Sequence, residues 1–313
     1  MLFRSSLLDA PDLQRRVAEI YTGAMFPRAA AVPPPFAEAH SGKVRVGYYS
    51  ADFHDHAMMH LMAGLFEAHD KSRFEIHAFS LGPDCKDAMR QRVVAAFDSF
   101  TDARDKSDDW LAEHSRGRGI QIAVDLNGHT QNARTMAFAK GCAPIQVNYL
   151  GYPGTMGADY IDYIIADETL IPEGSRHHYT EEVVYLPHTY QVNDRRNISS
   201  QAFTRVELGL PEAGFVFCCF NNNHKILPET FDVWMLLLKS VDGSVLWLLE
   251  DNAASARNLR KEAAKRGVDP ARLVFAPRAA SADHLARHRL ADLFLDTFPY
   301  NAHTTASDAL WAG

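Results

Sequence analysis

No stretch of this 313-residue chain approaches the ~20 uninterrupted apolar residues of a membrane-spanning helix, so a helical membrane protein is excluded and no membrane partner is expected. A surplus of positive charge is missing too: the formal net charge of -7 disfavours a polyanion-binding surface, leaving room only for a local basic pocket that takes one nucleotide. Nucleic acid is therefore not expected as a partner. Cysteine is scarce, and Cys85, Cys142, Cys218 and Cys219 show no metal-ligand spacing; the adjacent pair Cys218-Cys219 lies in an apolar run and reads as two buried small residues. That usage suits a reducing compartment, and Met1 to Leu8 holds no apolar core of signal length, so a cytoplasmic location is expected. Among the 15 histidines, His56 and His60 are four apart but straddle a turn, and no metal is assigned. The chain has no Gly-x-x-x-x-Gly-Lys-Ser/Thr loop and no Gly-x-Gly-x-x-Gly after a strand, which argues against nucleotide hydrolases and nicotinamide enzymes. A Gly-x-Ser-x-Gly elbow is lacking as well, and so are internal repeats and low-complexity tracts.

What is present is ordinary for a globular protein, at 47% hydrophobic and 23% charged residues, and the length suits two domains of roughly 150 residues. Residues 1–26 have helical spacing (Leu7, Leu8, Leu13, Val17, Ile20, Tyr21), and Pro33-Pro34-Pro35 then impose an extended linker up to residue 42. Strand patterns follow at 44–49, 74–80, 120–126, 143–150, 160–166 and 183–186, with helical patterns at 60–68, 87–97 and 108–114. Polar turns close several of these strands, at Ser50 to His56 and Asn127 to Thr130, while Gly151-Tyr152-Pro153-Gly154 makes a rigid loop that lets backbone approach a ligand. A polar, irregular stretch at 193–210 marks a boundary, giving a first α/β domain at 43–200 and a second at 201–313. The second alternates strands at 215–220, 244–249, 273–275 and 293–295 with helices at 226–237, 254–266 and 284–288, so a second doubly wound domain is expected. It ends directly after a helix at Ala312-Gly313, without the further strands such a domain needs, and is expected to be incomplete.

In doubly wound domains, ligands lie outside the carboxyl ends of the strands. The run Leu293 to Trp311 has a strand, a Pro/Asn turn and then a helix opening at His303-Thr304-Thr305, which offers hydroxyls and unpaired N–H groups to phosphate oxygens. Asp308, one turn on, could accept hydrogen bonds from a ribose. Lys225 follows another strand and begins a helix, where it could neutralise a diphosphate and stabilise charge growing on a leaving nucleoside diphosphate. Taken singly, each has a plainer alternative: a helix cap for the threonines, a solvated lysine, satisfied imidazoles for His56, His284 and His303.

Taken together, Ser50 to His56, Leu150 to Thr155, Phe220 to Lys225, Val245 to Leu249, and His303-Thr304-Thr305 with Asp308 and Trp311 resemble the catalytic region of protein O-linked N-acetylglucosamine transferases, a pattern that plant SPINDLY-type O-fucosyltransferases share. The resemblance runs from about Val44 to Gly313. It implies an α/β GT-B fold of two facing Rossmann-like domains and an inverting glycosyltransferase that needs no metal and no cofactor, using UDP-N-acetylglucosamine as donor and Ser or Thr hydroxyls of proteins as acceptors. Carried over residue by residue, it implies that Lys225 and Asn222 contact the diphosphate with Thr304 and Thr305, that Asp308 holds the ribose, and that His303 lies near the sugar. It further implies that His284 and Arg287 lie beside the nucleobase, Asp52 and His56 near sugar and acceptor, and the Leu150-Gly151 backbone along the sugar pocket. Two positions depart from the pattern, Ser281 where animal enzymes have a uridine-contacting lysine and Met58 where they have threonine. The tetratricopeptide repeats that precede this region in the family leave at most a remnant in residues 1–26. The alternatives are fucosyl transfer from GDP-fucose and a non-catalytic nucleotide-sugar-binding module.

Overall fold

The structure, a computed structural model, describes residues 7–29 and 42–313; the Pro33-Pro34-Pro35 linker lies outside the described residues. Helix α1 (Pro11–Met25) opens with proline at its first turn, where the missing N–H costs nothing. It docks through Ala18 and Thr22, whose hydroxyl donates to the Met156 carbonyl at 2.7 Å. The main division of the chain falls between Asp194 and Arg195.

In the first unit, strands β1 (Val44–Ser50), β2 (Phe74–Ser80), β3 (Ser99–Asp102), β4 (Ile122–Asp125), β5 (Ile145–Tyr149), β6 (Tyr163–Ala166) and β7 (Glu182–Tyr185) form one parallel sheet ordered β3-β2-β1-β4-β5-β6-β7. The central strands are apolar on both faces because helices cover both. From β1, Val46 and Tyr48 enter one core with Phe53 and with Met59, Met62 and Phe66 of helix α2 (Ala57–Glu67), whereas Tyr49 enters the other with Phe79, Leu111 and Phe138. Helices α3 (Ala88–Ala96) and α4 (Asp108–Gly117) begin on side-chain caps, Asp87 accepting from the Arg90 N–H and Ser107 from the Trp110 N–H. A short helix α5 (Thr135–Ala139) links β4 to β5.

The second unit has a four-stranded parallel sheet of β8 (Val216–Cys219), β9 (Val245–Leu249), β10 (Leu273–Ala276) and β11 (Leu293–Phe294), ordered β10-β9-β8-β11. Its helices are α6 (Pro228–Ser240), α7 (Ala253–Lys265), α8 (Ser281–His288) and α9 (Thr304–Ala312). Strand β8 is buried throughout: Phe217 and Cys219 meet Phe231, Trp234 and Leu238, while Val216, Cys218 and Phe220 meet Trp247 on the opposite face. The adjacent cysteines thus enter different cores as free thiols, each pushed up to about 12 by burial.

Both sheets reverse direction beside their first strand. The first unit runs outward from β1 to β3 and resumes with β4 on the other side of β1; the second runs from β8 to β10 and resumes with β11 beside β8. Such a switch point opens a crevice at the carboxyl ends of the two diverging strands. Lys225, read from sequence as opening a helix, instead closes a 3-10 turn (Asn223–Lys225), because Pro228 sets the start of α6.

Candidate active site

In the first unit, the switch point lies between the turn after β1 and the turn after β4. The Asp52 backbone N–H donates to Ser50 Oγ at 3.0 Å, and Asp52 Oδ2 accepts from Asn127 Nδ2 at 3.0 Å. Asn127 is 1% exposed; its Oδ1 accepts from the Ala51 N–H at 2.7 Å, so it ties the two turns together. Asp125 holds Asn127 in turn, accepting the backbone N–H groups of Asn127 and Gly128 on Oδ1. His56 caps α2, its Nδ1 accepting from the Met58 N–H at 3.3 Å, and that same Nδ1 stands 3.9 Å from Asp52 Oδ1. An Nδ1 that accepts leaves the proton on Nε2, so in this arrangement Nε2 is a donor. Moving the proton to Nδ1 would aim it at Asp52 and free Nε2 as a base. His60, four residues on, pairs instead with Asp55 at 2.8 Å.

Leu150 adopts a left-handed backbone (φ 67), which turns the chain sharply after β5. Gly151 follows because nothing larger fits: a Cβ there would meet the Leu126 carbonyl at 1.9 Å and the Met58 methyl at 3.0 Å. The Leu150-Gly151 backbone is thereby pressed against the end of β4, next to Asn127. Asp52, His56, Leu150 and Gly151 gather at this one edge.

In the second unit, the switch point lies between the turn after β8 and the loop from β11 to α9. Lys225 Nζ donates to the Asn301 carbonyl at 2.9 Å and sits 3.9 Å over the Tyr300 ring. Burial lowers its pKa, with Asp296 and then Cys219 opposing. Asn222 caps the 3-10 turn that carries Lys225. Helix α9 starts after His303 with no side-chain cap, so Thr304 and Thr305 open it with their N–H groups uncapped by any side chain. The Thr305 hydroxyl donates to Asn221 Oδ1, which ties the helix start to the end of β8. Burial, then the neighbouring Lys225, pushes His303 down to about 4, so its imidazole is neutral at pH 7.

Asp308 pairs with Arg196, whose side chain is 4% exposed, and this fixes the carboxylate. His284 on α8 packs against Phe220 and is pushed down to about 3 by burial, then by His288 and Arg287. Arg287 is 3% exposed; its guanidinium donates to the Pro277 carbonyl at 2.7 Å and to His284 Nδ1. An imidazole that accepts at Nδ1 must carry its proton on Nε2, which makes His284 a hydrogen-bond donor held by Arg287. Arg287 is thus committed to His284 and to the Pro277 carbonyl. Ser281 is the first residue of α8.

Sequence reasoning passed over Asn127, Arg196, Asn221 and Asp296. Each holds a segment of the candidate site through a partner distant in the chain, such as Asn221 with Asp296 at 3.1 Å and 75 residues away. The signal available for three of them was position, since Asn127, Asn221 and Asp296 lie in the turns after β4, β8 and β11, while Arg196 lies in the irregular stretch between β7 and β8. Two groups of potential metal donors exist among the described residues, Asp12-His177-His178 and His54-Cys85-Asp87. Neither includes a residue of these two clusters, and Asp87 is already committed as the cap of α3. Among the described residues no helix is long and apolar enough to cross a membrane.

Comparison with known proteins gives a consistent result. Residues 28–206 and 200–313 match the glycosyl transferase family 41 model. The "Probable UDP-N-acetylglucosamine--peptide N-acetylglucosaminyltransferase SEC" of Arabidopsis thaliana is 40% identical over 277 residues, covering 87% of this chain and 28% of that protein. The UDP-N-acetylglucosamine--peptide N-acetylglucosaminyltransferase of Caenorhabditis elegans is 27% identical over 391 residues, covering 89% of this chain and 34% of its own length. This chain therefore spans about a third or less of those relatives. Among solved structures, a mutant O-GlcNAc transferase of Thermobaculum terrenum superposes with a TM-score of 0.89 at 30% identity, covering 98% of this chain and 59% of that one. That likeness shows the GT-B fold.

Proposed function

Because the chain belongs to glycosyl transferase family 41, we propose that it carries the catalytic region of an inverting transferase that moves N-acetylglucosamine from UDP to Ser or Thr hydroxyls of proteins. The observation that carries this reading is the cluster at the β8/β11 switch point, where Lys225 and the uncapped start of α9 converge on one crevice edge. A lysine and a helix N-terminus together supply the positive potential that a diphosphate needs. They can do so without a divalent ion, and we assign none. Asn222, Thr304 and Thr305 then contact the diphosphate, Asp308 the ribose, His284 the base with Arg287 behind it, and His303 the sugar.

On this reading, residues 43–200 supply the sugar and acceptor contacts through Asp52, His56 and the Leu150-Gly151 backbone, and residues 201–313 hold the nucleotide. Attack by the acceptor hydroxyl requires loss of its proton, and bond breaking moves negative charge onto the β-phosphate, where Lys225 strengthens its hold. The free, buried or half-buried cysteines suit the cytoplasm. The test is thermal shift and calorimetry with UDP, GDP and their sugars, followed by transfer of labelled sugar to a Ser/Thr peptide library. Selective binding of UDP and transfer of N-acetylglucosamine support the reading. Selective binding of GDP would redirect it to fucosyl transfer, and binding without transfer to any peptide would leave a nucleotide-sugar-binding module.

A further inference from the structure

The loop between β11 and α9 is organised by one carboxylate. Asp296 Oδ1 accepts from the backbone N–H of Thr297 at 2.7 Å, from that of Ala302 at 2.7 Å and from Asn221 Nδ2 at 3.1 Å, while Oδ2 accepts from Asn301 Nδ2 at 3.1 Å. One side chain thus joins the first residues of the loop to the last and binds both to the end of β8. Asn221 extends the linkage, donating to Thr297 Oγ1 at 2.9 Å and accepting the Thr305 hydroxyl. Asn301, pinned by Asp296, presents the carbonyl that receives Lys225 Nζ at 2.9 Å. The lysine on the β8 side and the helix start on the β11 side are therefore both referred to Asp296.

We propose that Asp296 is a positioning residue that fixes the spacing between Lys225 and the first turn of α9 and supplies the counter-charge that keeps the lysine ready for a diphosphate. The proposal rests on reading this cluster as the diphosphate site. Its electrostatic part follows from the groups around Lys225. From β8, Cys219 is pushed up to about 12 by burial; from the 3-10 turn, His224 is pushed down by burial and then by Lys225. From the loop, burial raises Tyr300, and at the start of α9 His303 is neutral above about 4. Near neutral pH these groups carry no charge, and Asp296 is the carboxylate that opposes the effect of burial on Lys225.

The experiment uses Asp296→Asn, Asp296→Glu and the unaltered chain. Asp296→Asn keeps an acceptor for the backbone N–H groups but removes the charge and sets an amide against Asn301. UDP affinity should fall about 10- to 100-fold, as for a ligand group displaced by a fraction of an ångström to 1 Å. The alkaline limb of UDP binding should move to lower pH, since a lysine without its counter-charge loses its proton sooner. Asp296→Glu should restore the limb and leave affinity reduced, because the longer side chain cannot keep the same bridge. A purely structural residue would lower affinity equally at all pH values, and that result, or unchanged affinity in Asp296→Asn, would overturn the proposal. The Lys225 titration is also followed by NMR of its side chain without nucleotide, assigned with Lys225→Arg. An unshifted titration in Asp296→Asn would overturn the electrostatic part even if UDP were not the ligand, whereas failure of the unaltered chain to bind UDP would count against the diphosphate reading alone.

Discussion

Replacing Lys225 with alanine should reduce transfer at saturating donor about 10²- to 10³-fold while leaving the fold in place. The magnitude follows from the site: Nζ is held by one carbonyl and stacked on Tyr300 rather than immersed in water. A unit charge ~4 Å away then interacts by about 4 kcal/mol at an effective dielectric near 20. Breaking the glycosidic bond adds about one negative charge to the diphosphate, so the lysine favours the transition state over the bound donor by at most that amount, about three decades in rate. The lower figure of two decades is what loss of one preorganised electrostatic group commonly costs. Folding loses the cation–π contact with Tyr300, about 0.5–1 kcal/mol, and the bond to the Asn301 carbonyl, about 1.5 kcal/mol, together several degrees in melting temperature. The assay is UDP release and labelled-sugar transfer at saturating donor, with UDP affinity by calorimetry and a thermal melt on the same samples. An unchanged kcat in a well-folded variant, or a loss confined to donor affinity, would refute the assignment of Lys225 to leaving-group charge.

Turnover should persist in excess chelator, because lysine and helix start serve the diphosphate; complete loss rescued by magnesium would refute this. Asp52→Asn and His56→Ala should each lose turnover with UDP affinity kept and an altered acidic limb of the pH profile; lost donor affinity with an unaltered profile would make them donor-positioning residues and move the search for the base elsewhere. Asp125 gives a stability prediction: burial pushes it up to about 6 from an ordinary 3.8, against the Asn127 and Gly128 N–H bonds. The raised value means that its favourable, protonated state is fully present below about pH 4 and is lost as pH rises through about 6, a cost of about 3 kcal/mol at neutral pH. Asp125→Asn keeps the acceptor for both N–H groups and adds a donor beside Asn148, its register partner, whose side-chain oxygen lacks one. The variant should therefore be more stable than the unaltered chain in denaturant melts at pH 8 and lose that advantage at pH 4; a pH-independent difference would refute the linkage.

The strands legible in the sequence are those buried on both faces or closed by polar turns, such as Val44–Ser50, Phe74–Ser80 and Val216–Cys219. Strand β3 escaped notice because it is an edge strand, Ser-Phe-Thr-Asp, pairing with β2 alone and half-buried or exposed along its length. Nothing in such a segment alternates, and its conformation is imposed by its neighbour. Helix α5 is too short to show a period. In the candidate site, Lys225 and the Thr304-Thr305 helix start were visible because their chemistry is conspicuous at a strand end, and the fuller set came with the family resemblance. Asn127, Asn221 and Asp296 were not, because what they do depends on which distant backbone they meet.

The two switch points have a consequence for how this scaffold can change. On the proposed reading the diphosphate anchors hang on β8 and β11, while His284 and Ser281 hang on the helix after β10, the edge strand opposite β11 in the sheet. On that reading a substitution at Ser281 would bear on base choice without touching a hydrogen-bond partner of Asp296, since those partners are Asn221, Thr297, Asn301 and Ala302. Base preference and phosphate anchoring would then be only partly separable, coupled through Phe220, against which His284 packs one residue before Asn221.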